Sequence, residues 1–339
     1  MIVILGGGVA GASLAWALTQ RGRNDVVVFD PAEPGSGSTG RATGGFRTQF
    51  ATPLNIELSL RSREFFAEHA DRIGFRSCGY AFVAHDTQSR GRLDQWRSIQ
   101  QVAGLPVRSV SAAEVFPGLV FEDGASCNFC HLDGVHDPFL VLALFREEAE
   151  TQGAQFRYGV EYRGPPGQGD IVVIASGIWS PEVGQTFGLD LNIRREERHA
   201  GYLGNLPLPA DMPLGIDMDG GWVFRRRDGN LLLVSPAIDS NVEEVFRDWI
   251  DRRLPDPAAP RYTKAWSGFY EITPDHHPLV GSTEVPGIWA SCGFSGHGVM
   301  HSPAVAQSLA AMILGETPPI DISALSPFRT VSLSDPTQM

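Results

Sequence analysis

The residues with the clearest chemical meaning stand at the start of the chain. Gly6, Gly8 and Gly11 follow the apolar run Ile2-Val-Ile-Leu5, and Asp30 closes a second run, Val26-Val-Val-Phe-Asp30. That spacing fits a dinucleotide. Gly6 allows a tight turn after a strand, Gly8 lets backbone amides approach a pyrophosphate, and Gly11 lets the next helix pack close to the sheet. Val9 and Ala10 open that helix, whose positive end faces the phosphates. Asp30, nineteen residues beyond Gly11, is placed with Pro31 beside it to accept from an adenosine ribose hydroxyl. Its charge repels the 2′-phosphate of NADP, so FAD or NAD is favoured.

Other spacings carry less. Cys127-Asn-Phe-Cys130 has redox or metal spacing, but no second pair accompanies it, so it reads as two packed thiols. His297 and His301 stand four apart on a helix, as zinc ligands can, yet the glutamate of a metalloprotease motif is missing and no third ligand is evident. No metal is expected. His276-His277 should place one ring toward a ligand and the other toward solvent or a strand neighbour, since side chains alternate along a strand.

The elements that must position these groups follow from patterning. After the first strand-helix-strand unit, residues 34–45 are nearly free of large apolar side chains. They read either as a flexible linker or as a loop whose amides, Ser38 and Thr39 hydroxyls and Arg41 wrap a phosphate chain, with Gly44 and Gly45 at its end. Helical patterns follow at 54–70 and 87–103 with a strand at 80–84 between them. Asp137-Pro138 is an N-cap with proline at the first helical position, opening a helix to about residue 152. Asp170 to Gly177 reads as a buried parallel strand with small residues at its carboxyl end, where ligands sit in open α/β sheets. A strand-rich stretch over 196–235 holds a hairpin turned at Asp228-Gly229. A helix over 241–253 and a Pro/Ala-rich connection from Leu254 to Pro260 lead to a returning segment, then a glycine-rich turn and a helix to about Leu314. The tail from Glu316 reads as peripheral.

The bulk numbers bound the answer. A chain of 339 residues, 42% hydrophobic and 19% charged, can bury a large core in two domains or one elaborate one. A net charge of −12 argues against a nucleic-acid partner. With a strand starting at Ile2 there is no room for a leader before it, no apolar run reaches the length of a membrane span, and the four cysteines fit a reducing compartment, so a cytoplasmic protein is expected. Lys264 is the sole lysine among the 27 basic residues, which removes most lysine-based mechanisms.

Five ordered motifs carry a resemblance: the N-terminal glycine loop, Gly37-Ser-Thr-Gly-Arg41 with Gly44-Gly-Phe-Arg47, Ala175-Ser-Gly177-Ile-Trp179-Ser180, Tyr270 to Gly281 around Thr273-Pro-Asp275, and Gly293-Phe294-Ser295-Gly296-His297-Gly298. Over nearly the whole chain the sequence resembles the FAD-dependent amine oxidoreductases of the D-amino-acid oxidase type, which include sarcosine oxidases, glycine oxidase and the β subunits of some proline dehydrogenases. The resemblance implies a glutathione-reductase-type, Rossmann-like α/β FAD domain assembled from 1–77, 131–190 and 265–339. An antiparallel β-sheet substrate domain, 78–130 and 191–264, is inserted between those stretches. It further implies that the turn leading into Val299 and Met300 lies beside the flavin pyrimidine ring, where amides and a helix dipole favour the reduced form, and that His297 adds to that field.

The implied reaction removes two electrons and a proton from a carbon–nitrogen bond of an amine or amino acid, giving an imine that water hydrolyses. Arg47 falls on an arginine of the sarcosine oxidase pattern, and guanidinium matches carboxylate bidentately. Tyr270 is expected to line the pocket, with Arg225 and His199 contributed by the covering sheet. Three departures matter. Gly268 replaces the cysteine that tethers flavin in monomeric sarcosine oxidases, so noncovalent FAD is expected. Met300 and Phe50 replace a carboxylate-binding lysine and a second arginine, so the clamp is incomplete. No lysine stands where the family activates oxygen, Lys264 falling just before the returning strand, so slow reaction with oxygen is expected, with the acceptor left open among oxygen, a quinone or a protein and one other than oxygen preferred. Oxidation of a 2-hydroxy acid, or a role as a partner-dependent flavoprotein subunit or assembly factor, stays open, as do the particular amine and the oligomeric state.

Overall fold

The computed structural model describes residues 1–204, 206–238, 241–256 and 262–337. Six strands form the first sheet, in the order Leu279–Ser282, Ile288–Cys292, Ile171–Ile174, Ile2–Leu5, Val26–Asp30, Gln155–Tyr158. All neighbours are parallel except the first pair. Its central strands read IVIL and IVVI because strands covered on both faces need apolar residues at every position. The helix Val9–Thr19 packs between Pro138–Thr151 and Gly298–Ile313, with Trp16 wedged 5.1 Å from Phe65 and 5.3 Å from Phe145. Gly11 makes this approach feasible, since a Cβ there would lie 1.9 Å from the Gly6 carbonyl. The N-cap expected at Asp137 is present, accepting from the Phe139 amide at 2.8 Å.

The second sheet has eight strands, in the order Tyr262–Ile272, Arg194–Leu203, Asn230–Val234, Trp222–Arg227, Leu214–Asp217, Tyr80–Ala84, Ser126–Cys130, Arg108–Ser111. It is mixed, where an antiparallel sheet is expected from sequence. The chain enters it in two excursions, and these join at a parallel seam between Leu214–Asp217 and Tyr80–Ala84. The hairpin turns as expected, with Asp228 and Gly229 both in left-handed backbone. Tyr262–Ile272 pairs with Arg194–Leu203 along its length. The strand that the expected boundary divides at 264/265 thus belongs wholly to this sheet, and Lys264 lies within it opposite Gly201, not ahead of it. Most of the Pro/Ala-rich connection, residues 257–260, lies outside the described residues.

The four cysteines are free thiols, and burial pushes Cys127 and Cys130 up to about 12, so neither is a ready nucleophile.

The tail is not peripheral. Asp335 and Thr337 are buried, and the Asp335 carboxylate accepts from the Ala51 amide, the Thr52 hydroxyl and the Asn55 amide group. Further back, Arg329 pairs with Asp275 at 2.5 Å and donates to the Pro278 and His277 carbonyls. These polar residues match buried backbone groups, so an apolar pattern does not announce them. Burial alone would raise the Asp275 carboxyl, but Arg329 and the Leu333 and His277 amides outweigh it and hold it at about 2. A carboxyl depressed in this way contributes stability above its unfolded value near 4, and that contribution is lost as pH falls toward 2. Arg329→Ala is expected to destabilise the fold by about 3–5 kcal/mol in denaturant titrations and to flatten the acid limb of stability. An unchanged unfolding midpoint would place the tail outside the cooperative structure.

Candidate active site

The dinucleotide end is built on backbone. Gly6 adopts φ +116° with its α-carbon pressed on the Ala175 carbonyl, where a Cβ would come within 2.3 Å. Gly8 caps the helix without any side-chain cap. Val9 N donates to Thr39 Oγ1 at 3.1 Å, while the Ala10 and Gly11 amides have no acceptor inside the helix. Asp30 Oδ2 accepts from Gly7 N at 2.8 Å and Oδ1 from Ala32 N at 2.9 Å, so the acid at the strand end also braces the glycine loop beside exposed Pro31. Tyr158 OH donates to the Gly7 carbonyl at 2.9 Å, a brace from the sheet edge that no motif marked.

Residues 34–45 form an ordered loop, not a linker. Thr39–Arg41 is a short 3-10 turn, Ser38 Oγ donates to the Phe269 carbonyl at 2.9 Å, and Trp266 Nε1 donates to the Arg41 carbonyl at 3.0 Å. The loop thereby bridges the two sheets. Gly177 turns in left-handed backbone after Ile171–Ile174, and Trp179 stands half exposed against Gly37.

At the other end lies the turn from Gly293 to Gly298. Gly293, Ser295 and Gly296 all have positive φ, a strained choice for the serine. Gly296 lets the Tyr270 ring lie on the turn, since a Cβ would meet it at 2.9 Å. The Gly293 amide is engaged by the half-buried Glu271 carboxylate at 3.0 Å, so the first donor of the motif braces the turn. Burial pushes that carboxyl up to about 7 against the pull of the Gly293 and Phe294 amides. The Gly298, Val299 and Met300 amides open the helix Gly298–Ile313 without a side-chain cap.

His297 sits 3.1 Å by Nε2 from Arg47 Nη2. A guanidinium only donates, so Nε2 accepts and the neutral ring carries its proton on Nδ1. Burial, then the Arg47 charge, drives its pKa well below the usual range. The ring therefore offers a dipole and no charge. Nδ1 is buried with no partner among the described residues. His301 is engaged by Ser59 at 3.0 Å, and His277 by Asn55 at 3.1 Å, while His276 is only half-buried in left-handed backbone.

Arg47 is 3% exposed. Nη1 donates to the Gln49 carbonyl at 2.6 Å and Thr337 Oγ1 at 3.1 Å, and Nη2 donates to the Thr337 carbonyl at 3.0 Å. Phe50, standing where the family pattern has a second arginine, stacks on the guanidinium at 3.8 Å. Arg47 thus holds a full charge beside His297 with neutral hydrogen-bond partners.

One cleft gathers Val9, the loop from Ser38 to Gly45, Arg47, Tyr270 and the turn from Phe294 to Met300, and is closed by the second sheet. Arg198, Ala200, Trp266 and Tyr270 point into it from the paired strands, and Ile216, Val223 and Val234 add an apolar wall. Two expected residues do not point there. His199 lies between Arg198 and Ala200, so strand alternation turns it to the far face. Arg225 is buried with Nη1 on the Thr43 and Gly44 carbonyls at 2.7 and 2.9 Å, bracing the loop rather than meeting a ligand. Conversely, Arg198, Glu271, Tyr80 and Thr337 line the cleft without a sequence motif to reveal them.

The orphan Nδ1 of His297, the helix starts that Gly8 and His297 leave uncapped and the close-packed glycines all fit a long anionic cofactor lying between a dinucleotide grip and a glycine turn. This is the architecture of a flavin-dependent oxidoreductase. The family described as FAD dependent oxidoreductase, DAO, matches residues 1–312, and the chain belongs to it. It is 27% identical to FAD-dependent oxidoreductase domain-containing protein 1 of Xenopus laevis over 99% of this chain and 83% of that one. Glycine oxidase of Geobacillus kaustophilus is 24% identical, with 97% of each chain covered. Rat dimethylglycine dehydrogenase is 25% identical, but this chain spans only 44% of its length. Among solved structures, L-proline dehydrogenase from P. horikoshii superposes with a TM-score of 0.86 at 26% identity, covering 97% of this chain and 96% of that one. The family is one of FAD-dependent amine and amino-acid oxidoreductases. No helix among the described residues is long and apolar enough to cross a membrane.

FAD is held noncovalently. Gly268 offers no thiol, and the Arg41 side chain lies within 3.1 Å of where a Cβ would stand. Acid precipitation of the yellow protein is expected to leave the colour in solution; a yellow pellet would contradict this.

Proposed function

We propose that the chain oxidises a carbon–nitrogen bond of a secondary amine or amino acid, of the sarcosine, proline or D-amino-acid kind. Bound FAD supplies the acceptor for two electrons and a hydrogen from the carbon next to nitrogen. The nitrogen lone pair forms the C=N bond as that C–H bond breaks, and water then hydrolyses the imine to carbonyl and amine. The observation that carries this reading is the buried Arg47 guanidinium, which has only neutral partners at hydrogen-bond distance beside the glycine turn.

In this reading Arg47 supplies a fixed positive field, and neutral His297 and the first amides of Gly298–Ile313 orient donors toward developing negative charge. Residues from Gly6 to Gly11, Asp30, Ser38, Thr39 and Arg41 hold the adenosine and phosphates. Tyr270 and the apolar wall of Ile216, Val223 and Val234 position the substrate and exclude water from the reacting carbon. A dehydrogenase is favoured over an oxidase, because no lysine stands where the sarcosine oxidase pattern has the one that activates oxygen.

Anaerobic mixing with N-methyl amino acids, L-proline, D-amino acids and 2-hydroxy acids tests the reading through loss of the oxidised-flavin band. Bleaching by one amine class is expected. Bleaching by hydroxy acids alone, or by dithionite alone, overturns it. With the reducing amine in hand, dye reduction is expected to outrun peroxide formation in air by at least about tenfold, a barrier difference of roughly 1.4 kcal/mol; equal rates would identify an oxidase.

A further inference from the structure

We propose that Arg198 anchors the substrate's carboxylate, with Glu196 holding its guanidinium in place until substrate arrives. The inference rests on the amine-oxidising reading and names the group that selects amino acids over simple amines. It begins with register. Glu196 stands opposite Tyr270, Arg198 opposite Gly268 and Ala200 opposite Trp266. Opposed residues share a face of a sheet, and Arg198, Ala200, Trp266, Gly268 and Tyr270 line the cleft, with Glu196 on the same face. With no side chain across from it at Gly268, the Arg198 guanidinium extends over the Tyr270 ring, 5.3 Å from its centre.

Hydrogen bonds set Arg198 apart from the other arginines at or behind the cleft; Arg41 directs Nη1 to the Ser36 and Gly37 carbonyls of its own loop. Arg47 directs its Nη groups to Gln49, Thr337 and His297, and Arg225 directs its own to backbone carbonyls. Arg198 differs. Its Nη2 donates to Glu196 Oε1 at 2.5 Å, while Nε is buried and has no partner among the described residues. A buried N–H without an acceptor is unfavourable, and a carboxylate brings two acceptors in the geometry a guanidinium presents.

Charge points the same way. Glu196 also accepts from Arg194 Nη1 at 2.7 Å, so one carboxylate serves two arginines and the group keeps a net positive charge. An incoming carboxylate completes the balance. Beyond the guanidinium, Ala200, Val223 and Val234 form an apolar surface. The substrate class is therefore an amino acid whose carboxylate meets Arg198 and whose nonpolar substituent, on nitrogen or the α-carbon, lies along that surface.

The test uses the FAD-loaded full chain with Arg198→Met and Arg198→Lys. The probe is 2-furoate, a flat carboxylate with no oxidisable C–N bond, followed by its perturbation of the flavin band; furan-2-carboxamide is the uncharged control. Arg198→Met is expected to weaken furoate by about 10- to 100-fold, the range of a charge-assisted pair. Arg198→Lys should recover part of that loss, and carboxamide affinity should stay within about twofold. Turnover gives a second readout: KM for an oxidised amino acid rises, while kcat, and KM for the same amine lacking the carboxylate, hold.

Equal furoate affinity in wild type and Arg198→Met, absence of furoate binding to wild type, or parallel loss of carboxamide would each overturn the anchor. The two readings fail separately. Arg198-dependent furoate binding without bleaching by any amine removes the amine reading and keeps the anchor; amine bleaching with furoate affinity unchanged in Arg198→Met does the reverse.

Discussion

The helices Val9–Thr19 and Gly298–Ile313 both begin without a cap from the residue before them, and both open on one cleft, at Val9 and at Gly298 to Met300. Amides in the first turn of a helix have no partner within it, and a protein that buries them must supply an acceptor. Neither preceding residue, a glycine and a neutral histidine, caps its helix, and Thr39 Oγ1 takes only the Val9 amide of the first. The other first-turn amides are left to the cofactor. The requirement explains the crowding behind each turn, where Gly11 lies on the Gly6 carbonyl and Gly296 lies on Tyr270. Side chains at these points would push the donors away from the anionic ligand they face.

A second constraint is linked to the first. Burying Arg47 without a carboxylate at hydrogen-bond distance is costly unless its N–H groups are matched, and the chain matches them with the Gln49 carbonyl, the Thr337 hydroxyl and carbonyl, and His297 Nε2. Thr337 is brought there by the tail, itself held by Asp335 on the 51–55 segment and by Arg329 on Asp275. The accepting role forces the neutral tautomer of His297, so one buried cation fixes the tail, the ring and the direction of the free Nδ1–H. The tail is thereby part of the active-site wall.

Local patterns were legible in the sequence because they encode local geometry. The glycine loop, the Asp137 cap with Pro138, the Asp228-Gly229 hairpin and the helix after Gly298 all form where their residues indicate. What failed depends on register and tertiary choice of partner. Alternation tells that His199 and Arg198 face opposite ways, but only pairing with Tyr262–Ile272 decides which one meets the cleft. Arg225 reads as a ligand-facing charge until the Thr43 and Gly44 carbonyls are seen beside it. The tail carries mostly polar residues that match buried donors, a role without periodicity. The inserted sheet is mixed because two distant excursions meet at one seam, which no local signal marks.

In the proposed reaction Arg47, the neutral His297 and the amides opening Gly298–Ile313 form a preorganised positive region that favours reduced, negatively charged FAD over oxidised FAD. The direct measurement is the midpoint potential of bound FAD in the wild-type protein and in Arg47→Gln, against free FAD. A wild-type potential above that of free FAD is expected, with a drop in the variant of about 30 mV or more, which for two electrons corresponds to roughly 1.4 kcal/mol. Equal potentials in the two proteins, with FAD bound in both, would contradict it.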